Sequence, residues 1–274
     1  MIDEIVQRAL TEDLHGGDVT TEACIDPDAK AVARAVARAE IVACGGPVIS
    51  RVFALLDPEV IVDANVADGA RVQPGAVMWT VSGRARSILM GERVALNLTQ
   101  RMSGVATVTR AYVDAVPKGA HTRITDTRKT TPGLRVLERY AVRVGGGHNH
   151  RDNLGAAVLI KDNHIAACGG VAEAIHRARA HAPHTCKIEC EVDTLAELDQ
   201  AIGARADIVL LDNMDDATVA EAVKRLRKAG IMSEASGGIT LARISSLATA
   251  GVDAISVGAL THSAKAADIG LDFA

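Results

Sequence analysis

Residues 187–236 read KIECEV, DTLAELDQAIGARA, DIVLLD, NMDDATVAEAVKRLRKAG and IMSEAS, in that order without a break. Three short runs rich in apolar residues alternate with two segments of helical spacing. Thr194 with Glu197 has the spacing of a capping box at the start of the first helical segment. Gly203 and Gly230 fall where a helix C-terminal glycine is expected, as does Gly251 further on. Strand and helix alternating at this period imply right-handed βαβ units and a parallel sheet, either closed into a barrel or doubly wound.

The same rhythm extends outward in both directions. TRITDT at 122, AVLIKD at 157 and DAISVG at 253 complete a set of six predicted strands. PGLRVLERYAVRV, VAEAIHRARAHA and LARISSLATAG supply further helical segments. Before residue 120 the pattern is mixed. A helix is expected around Ile2–Leu10, then a polar turn, DLHGGDVTT. A strand is expected over Ala31–Ala43, a helix over Pro47–Leu56, and short strands at Val60–Val62, Arg71–Val72 and Val77–Ser82, separated by DG and PG turns. Leu89, Val94, Leu96, Leu98 and Met102 predict a long helix over Ile88–Ala115.

Composition narrows the function. The 274 residues are 48% hydrophobic and 23% charged, ordinary for a globular protein. Aromatics are only 2%, so a surface that stacks nucleobases is not expected. With a net charge of -4 and no charged tail, neither nucleic acid nor a membrane surface is an expected partner. The acidic N-terminus does not read as a signal peptide, and no apolar run approaches the ~20 residues that span a bilayer. Five cysteines without a CxxC pair fit free thiols and a cytoplasmic location.

All six predicted strands end in polar or glycine residues on their C-terminal side: Asp126-Thr-Arg-Lys, Lys161-Asp-Asn-His, Glu191-Val-Asp, Asp212-Asn, Ser236-Gly-Gly and Gly258-Ala. In a (β/α) barrel these ends converge on one mouth, where active sites are built. Arg128, Lys129, His150, Arg151 and Lys161 then favour an anion of several charges. The late glycine turns suit a phosphate held by backbone N–H groups. Glu191 and Asp212 suit Mg2+ bound through oxygens and substrate phosphates. Plainer readings stand beside these. Arg128-Lys129 could be a solvated turn, Glu191 could form a structural ion pair with Lys161, and SGG could be only a turn. His148-Asn149-His150 has the letters of a nuclease motif without its surroundings. His181, His184, Cys186 and Cys190 lack regular zinc-ligand spacing, and Cys190 falls in a predicted buried strand.

Seven motifs in order resemble the quinolinate phosphoribosyltransferase family: Asp126-Thr-Arg-Lys-Thr-Thr-Pro-Gly-Leu-Arg, Gly145-Gly-Gly-His-Asn-His-Arg, Leu159-Ile-Lys-Asp-Asn-His, Glu191-Val-Asp, Leu210-Leu-Asp-Asn-Met, Glu234-Ala-Ser-Gly-Gly-Ile and Val257-Gly-Ala-Leu-Thr-His. The likeness runs from Glu12-Asp13 and Gly17-Asp-Val-Thr-Thr to Asp268-Ile-Gly-Leu-Asp. It implies an N-terminal α/β sandwich over 1–107 and an open (β/α) barrel over 108–264, with a tail, 265–274, that could pack on the first domain. The implied reaction joins quinolinate to 5-phosphoribosyl-1-pyrophosphate with loss of CO2, giving nicotinate mononucleotide for NAD biosynthesis.

The resemblance also implies roles. Arg128, His150, Arg151 and Lys161 would clamp the quinolinate carboxylates, with Arg93 reaching in from a neighbouring subunit of a homodimer or higher oligomer. Lys129 would meet the pyrophosphate. Glu191 and Asp212 would serve the ribose and Mg2+, and Ser236, Gly237, Gly258 and His262 the phosphate. No organic cofactor is expected. Arg101 reads as a second interface arginine or a surface charge. The alternatives are a related phosphoribosyltransferase with another ring acceptor, or a non-catalytic barrel that binds a phosphosugar.

Overall fold

The computed structural model describes all 274 residues, Met1–Ala274. The chain opens with α1 (Ile2–Leu14), α2 (Val19–Cys24), β1 (Lys30–Ala37), β2 (Ile41–Val42), α3 (Gly46–Leu56), β3 (Ile61–Ala64), β4 (Arg71–Val72), β5 (Val77–Arg84) and α4 (Ala85–Asp114). It continues through β6 (Arg123–Thr125), α5 (Arg135–Val144), β7 (Val158–Ile160), α6 (Asp162–Cys168), α7 (Val171–His181) and β8 (Ile188–Val192). The last elements are α8 (Leu195–Gly203), β9 (Ile208–Asp212), α9 (Asp216–Ala229), β10 (Met232–Ser236), α10 (Ile244–Ala250), β11 (Ala254–Ser256), α11 (Ala259–His262) and β12 (Ile269–Phe273). Two compact units form. One comprises Met1–Arg110, Lys129–Gly146 and Ala259–Ala274, the other Ala111–Arg128 and Gly147–Gly258. No helix is long and apolar enough to cross a membrane.

In the first unit an antiparallel sheet has the order β12-β1-β5-β3. Along β1, Ala33, Ala35 and Ala37 are buried while Lys30, Val32 and Arg34 are exposed, the period-two pattern of a half-buried strand. The single strand expected over Ala31–Ala43 is broken at the exposed residues Arg38, Ala39 and Glu40; beyond them β2 pairs with β4 instead. The C-terminal tail contributes β12, registered on β1 from Ala33↔Phe273 to Ala37↔Ile269. Helix α4 begins three residues before Ile88, at Ala85, and buries Val94, Leu98, Met102 and Val105 on one face.

The second unit holds six parallel strands in the order β6-β11-β10-β9-β8-β7. Strands β7 to β11 lie side by side in chain order, and the last of them pairs with β6, the first. That circular order is a barrel open between its first and second strands; a doubly wound sheet would reverse direction around an inner strand. Thr125 and His148 form an isolated parallel bridge, so the segment Gly147-His148-Asn149 lies beside β6 at the opening. Gly230 and Gly251 are left-handed caps as expected, with φ 70° and 87°. Gly203 is not: helix α8 carries through it, and Arg205 takes the left-handed position at φ 58°. The short α6 was not anticipated; its first turn is tied by the Lys161 N–H, which donates to His164 Nδ1 at 2.9 Å.

Candidate active site

Register partners in a parallel sheet point to the same side. Glu189 pairs with Ile208 and Glu191 with Leu210. Leu210 in turn pairs with Glu234, and Asp212 with Ser236. Glu189, Glu191, Asp212, Glu234 and Ser236 therefore share one face, the inside of the barrel. Ile188, Cys190, Val192, Val209, Leu211 and Ala235 alternate with them, are buried and lie on the face covered by α7 to α9. Lys161 follows Ile160, which pairs with Cys190, so its side chain stands next to that of Glu191. The two are ion-paired through Lys161 Nζ and Glu191 Oε2. The ion pair of the plainer reading is thus formed.

Basic residues gather at the opening. Arg151 is half-buried, and its Nη1 donates to the Ala157 carbonyl at 3.0 Å. Burial, then the charge of Arg128, lower its affinity for a proton, while Glu189 opposes. Its buried Nε has no hydrogen-bond partner. A half-buried guanidinium repelled by the exposed one of Arg128 is suited to an anion that can neutralise both. Asp126, fully buried, holds the adjoining segment. It accepts from Asn149 Nδ2 at 2.6 Å and from the His150 N–H at 2.7 Å. The His148-Asn149-His150 letters are accounted for by this wall of the barrel.

One pleat below Glu191 and Ser236 lie two buried carboxylates, Glu189 and Glu234. His150 Nε2 approaches them at 3.2 and 3.5 Å. Burial, then the charge of Glu189, push Glu234 up to about 7. One atom from each of the three residues falls within 4.8 Å of the others, a grouping that could hold a metal ion. The histidine argues against it. The Arg151 N–H donates to His150 Nδ1 at 2.7 Å, so the ring proton resides on Nε2 and points at the carboxylates. A histidine that bound metal through Nε2 would need its proton on Nδ1.

The acidic side of the mouth is different. Glu191 is pushed up by burial first, and Asp212 and Asp162 add to this against Lys161. Asp193 is raised by burial, then by Asp212 and Glu197. Oxygen donors that hinder each other's ionisation fit a hard divalent cation such as Mg2+. Asn213, at φ 54°, donates from its side chain to Asp212 at 2.6 Å and from its backbone to the Ser236 carbonyl at 3.1 Å. Gly237, at φ 76°, lies so close that a Cβ there would fall 2.7 Å from the Asn213 nitrogen. Gly258 follows β11 and precedes α11.

Residues 18–103 match the N-terminal domain of quinolinate phosphoribosyl transferase and residues 105–272 its C-terminal domain. The chain belongs to the quinolinate phosphoribosyltransferase family. It is 44% identical to the probable nicotinate-nucleotide pyrophosphorylase (carboxylating) of Bacillus subtilis, over 98% of this chain and 92% of that one. It is 45% identical to the corresponding Mycobacterium leprae protein, over 98% and 96%. The NadC structure from Streptococcus pyogenes superposes with a TM-score of 0.94 at 42% identity, over 100% of this chain and 97% of that one.

Of the residues that the family resemblance singles out, Arg128, His150, Arg151, Lys161, Glu191, Asp212, Ser236, Gly237 and Gly258 belong to the barrel unit. Arg93, Lys129 and His262 belong to the first unit and are exposed there. Arg101 is not a simple surface charge in this fold. It is mostly buried and ion-paired with the fully buried Glu138 at 2.8 Å. His181, His184, Cys186 and Cys190 do not form a metal-binding group, since the trio around His150 is the one such cluster in the chain. Glu189 and Glu138 carry no expectation from the sequence, and Asp126 and Glu234, though they open two of the motifs, carry no expected role. The alternation in KIECEV holds the signal for Glu189, because it puts Glu189 on the same side as Glu191.

Proposed function

We infer that this chain transfers the phosphoribosyl group of 5-phosphoribosyl-1-pyrophosphate to quinolinate, releasing pyrophosphate and CO2 and forming nicotinate mononucleotide. The observation that carries the reading is the division of the open barrel's mouth. Arg128, Arg151 and Lys161 follow β6, the opening and β7, whereas Glu191 and Asp212 stand on the next two strands, β8 and β9, and Lys161 and Glu191 meet at the border. A dianionic ring belongs with the cations, and a polyhydroxylated sugar that turns cationic in the transition state belongs with the carboxylates.

The chemistry follows from that division. Arg128, Arg151 and Lys161 hold the dicarboxylate so that the ring nitrogen faces the anomeric carbon, with His150 in the same wall. Positioning of this kind is worth up to roughly 7–11 kcal/mol. The nitrogen lone pair is already available, so the first bond needs no general base. As the C–N bond forms, the bond from the anomeric carbon to pyrophosphate breaks; Lys129 neutralises the leaving group, and Glu191 and Asp212 stabilise the charge growing on the ribose. The quaternised nitrogen then accepts the electron pair released as the neighbouring carboxylate departs as CO2, and the ring carbon takes up a proton. Glu191 and Asp212, aided by water and substrate phosphates, are the residues that would hold Mg2+, which supplies charge neutralisation for the pyrophosphate. Ser236, Gly237, Gly258 and His262 are assigned to the phosphate. No organic cofactor is called for.

Homodimerisation, with Arg93 supplied by the neighbouring subunit, completes the reading. The five free cysteines support a reducing, cytoplasmic setting. The test is an assay with purified protein, quinolinate, 5-phosphoribosyl-1-pyrophosphate and Mg2+ that follows nicotinate mononucleotide and CO2 together. Equimolar products, absent when nicotinate replaces quinolinate, are expected. Turnover of nicotinate at a similar rate would refute the specificity for a dicarboxylate.

A further inference from the structure

Helix α4 carries a track that grips the C-terminal segment of the chain. The Gln100 carbonyl accepts from the Ala267 N–H at 2.9 Å, and its Nε2 donates to the Ile269 carbonyl at 2.7 Å. At Gly104 a Cβ would stand 2.0 Å from the Lys265 carbonyl oxygen, so the helix and this segment touch backbone to backbone. Between these two positions Arg101 fans out its guanidinium. Nη1 donates to the Ala264 carbonyl at 2.7 Å, and Nη2 donates to the Thr261 carbonyl. Nε and Nη2 together grip Glu138 Oε1 at 3.0 and 2.8 Å.

The partners of Arg101 reach in turn to the two segments of this unit that carry Lys129 and His262. Glu138 uses its other oxygen, Oε2, to accept from the Thr131 N–H at 3.1 Å. Thr261, fully buried, donates from Oγ1 to the Lys129 carbonyl at 2.8 Å and immediately precedes His262. A fully buried carboxylate is tolerated only when paired, and Arg101 is the ion-pair partner of Glu138. A planar fork of fixed donors suits this task, whereas the single ammonium of lysine could not reach a carboxylate and two carbonyls in different directions.

We propose that Arg101 is a positioning residue for the phosphoribosyl donor: through Glu138 and Thr261 it fixes the Lys129–Thr131 loop and the Thr261–Ala264 turn in one relative arrangement. This rests on the roles assigned above to Lys129 and His262. A residue that merely stabilised the fold would act on both substrates alike, by lowering the fraction of active enzyme. A residue that places Lys129 and His262 acts on one.

The experiment compares wild type, Arg101→Met and Arg101→Lys in steady-state kinetics, with hydrogen exchange read by mass spectrometry across 127–135 and 259–266. Arg101→Met is expected to raise KM for 5-phosphoribosyl-1-pyrophosphate about tenfold or more, as befits the loss of charge-assisted hydrogen bonds, with KM for quinolinate within about twofold. Arg101→Lys keeps the charge and is expected to leave the donor KM raised. Exchange is expected to quicken in both segments together. Equal changes in the two KM values, or a loss of kcat alone in proportion to folded protein, would overturn the proposal. If the wild type uses neither substrate, the functional reading fails and exchange decides alone: unchanged protection of both segments in a folded Arg101→Met protein overturns the clasp.

Discussion

Lys161 Nζ rests on the carboxylate of Glu191, across the ends of the neighbouring strands β7 and β8. One residue is assigned to quinolinate and the other to the ribose, so the pair joins the two halves of the site. Lys161→Ala should raise KM for quinolinate far more than KM for the phosphoribosyl donor, because a carboxylate contact is lost from one substrate. Equal effects on both would contradict the assignment.

The same pair predicts a pH effect. Burial raises Glu191 and Lys161 lowers it, so removing Lys161 lets it rise further. If the ionised carboxylate is the working form, activity falls as pH drops through the folded-state value. The acid limb of the rate profile should therefore move to higher pH in Lys161→Ala. A limb that stays in place or moves down would show that Glu191 does not govern it.

The buried pair of Glu189 and Glu234 bears on stability. Glu234 keeps its proton up to about 7 in the fold, against an ordinary value of 4.5. The unfolded chain releases that proton at lower pH, so between these values unfolding releases a proton and stability falls as pH rises. The fall ends once pH passes the folded value. It amounts to something on the order of 3 kcal/mol. Urea titrations from pH 5 to 8 should show this decline in the wild type and a shallower one in Glu234→Gln, whose neutral amide mimics the protonated acid while His150, also raised by these carboxylates, still titrates. Parallel curves for the two proteins would place the titration elsewhere.

How far the sequence discloses all this depends on range. The alternation of strand and helix after residue 120 is local, and so is the polar ending of each strand; both are legible, and they locate Arg128, Lys161, Glu191, Asp212 and Ser236 correctly at the strand ends. Whether the strands form a barrel turns on β11 pairing with β6, a contact between residues about 130 apart that no local pattern encodes. Arg101 escapes for the same reason, since Glu138 and Thr261 are remote in the chain. The break after Ala37 was missed because Arg38-Ala39-Glu40 still alternates as a strand would. Gly203 misled because a glycine near a helix end need not be its cap when Arg205 can accept a left-handed backbone.

Gly237 offers a steric test of the phosphate side. Its φ of 76° disfavours any side chain, and a Cβ would stand 2.3 Å from Asn213 Oδ1 as well as against the Asn213 backbone. Gly237→Ala must shift Asn213, which hydrogen-bonds to Asp212 and to the Ser236 carbonyl. Strain of this kind typically costs about 1–3 kcal/mol. The expected result is a folded protein with KM for the phosphoribosyl donor raised at least several-fold and little change for quinolinate. Wild-type kinetics would mean that the SGG turn is only a turn.

The proposed sharing of the site between subunits predicts complementation. If Arg93 serves the neighbouring subunit while Arg151 serves its own, then Arg93→Ala and Arg151→Ala homodimers each lack one required arginine at both sites. In a hybrid dimer, one site inherits both defects and the other inherits none. Random exchange of equal amounts makes about half the dimers hybrid, each with one intact site of two, so the mixture should regain about a quarter of wild-type activity. The measurement is the activity of the mixture after exchange has been verified by mass-tagged subunits. Full exchange with no recovered activity would mean that Arg93 and Arg151 serve the same subunit's site.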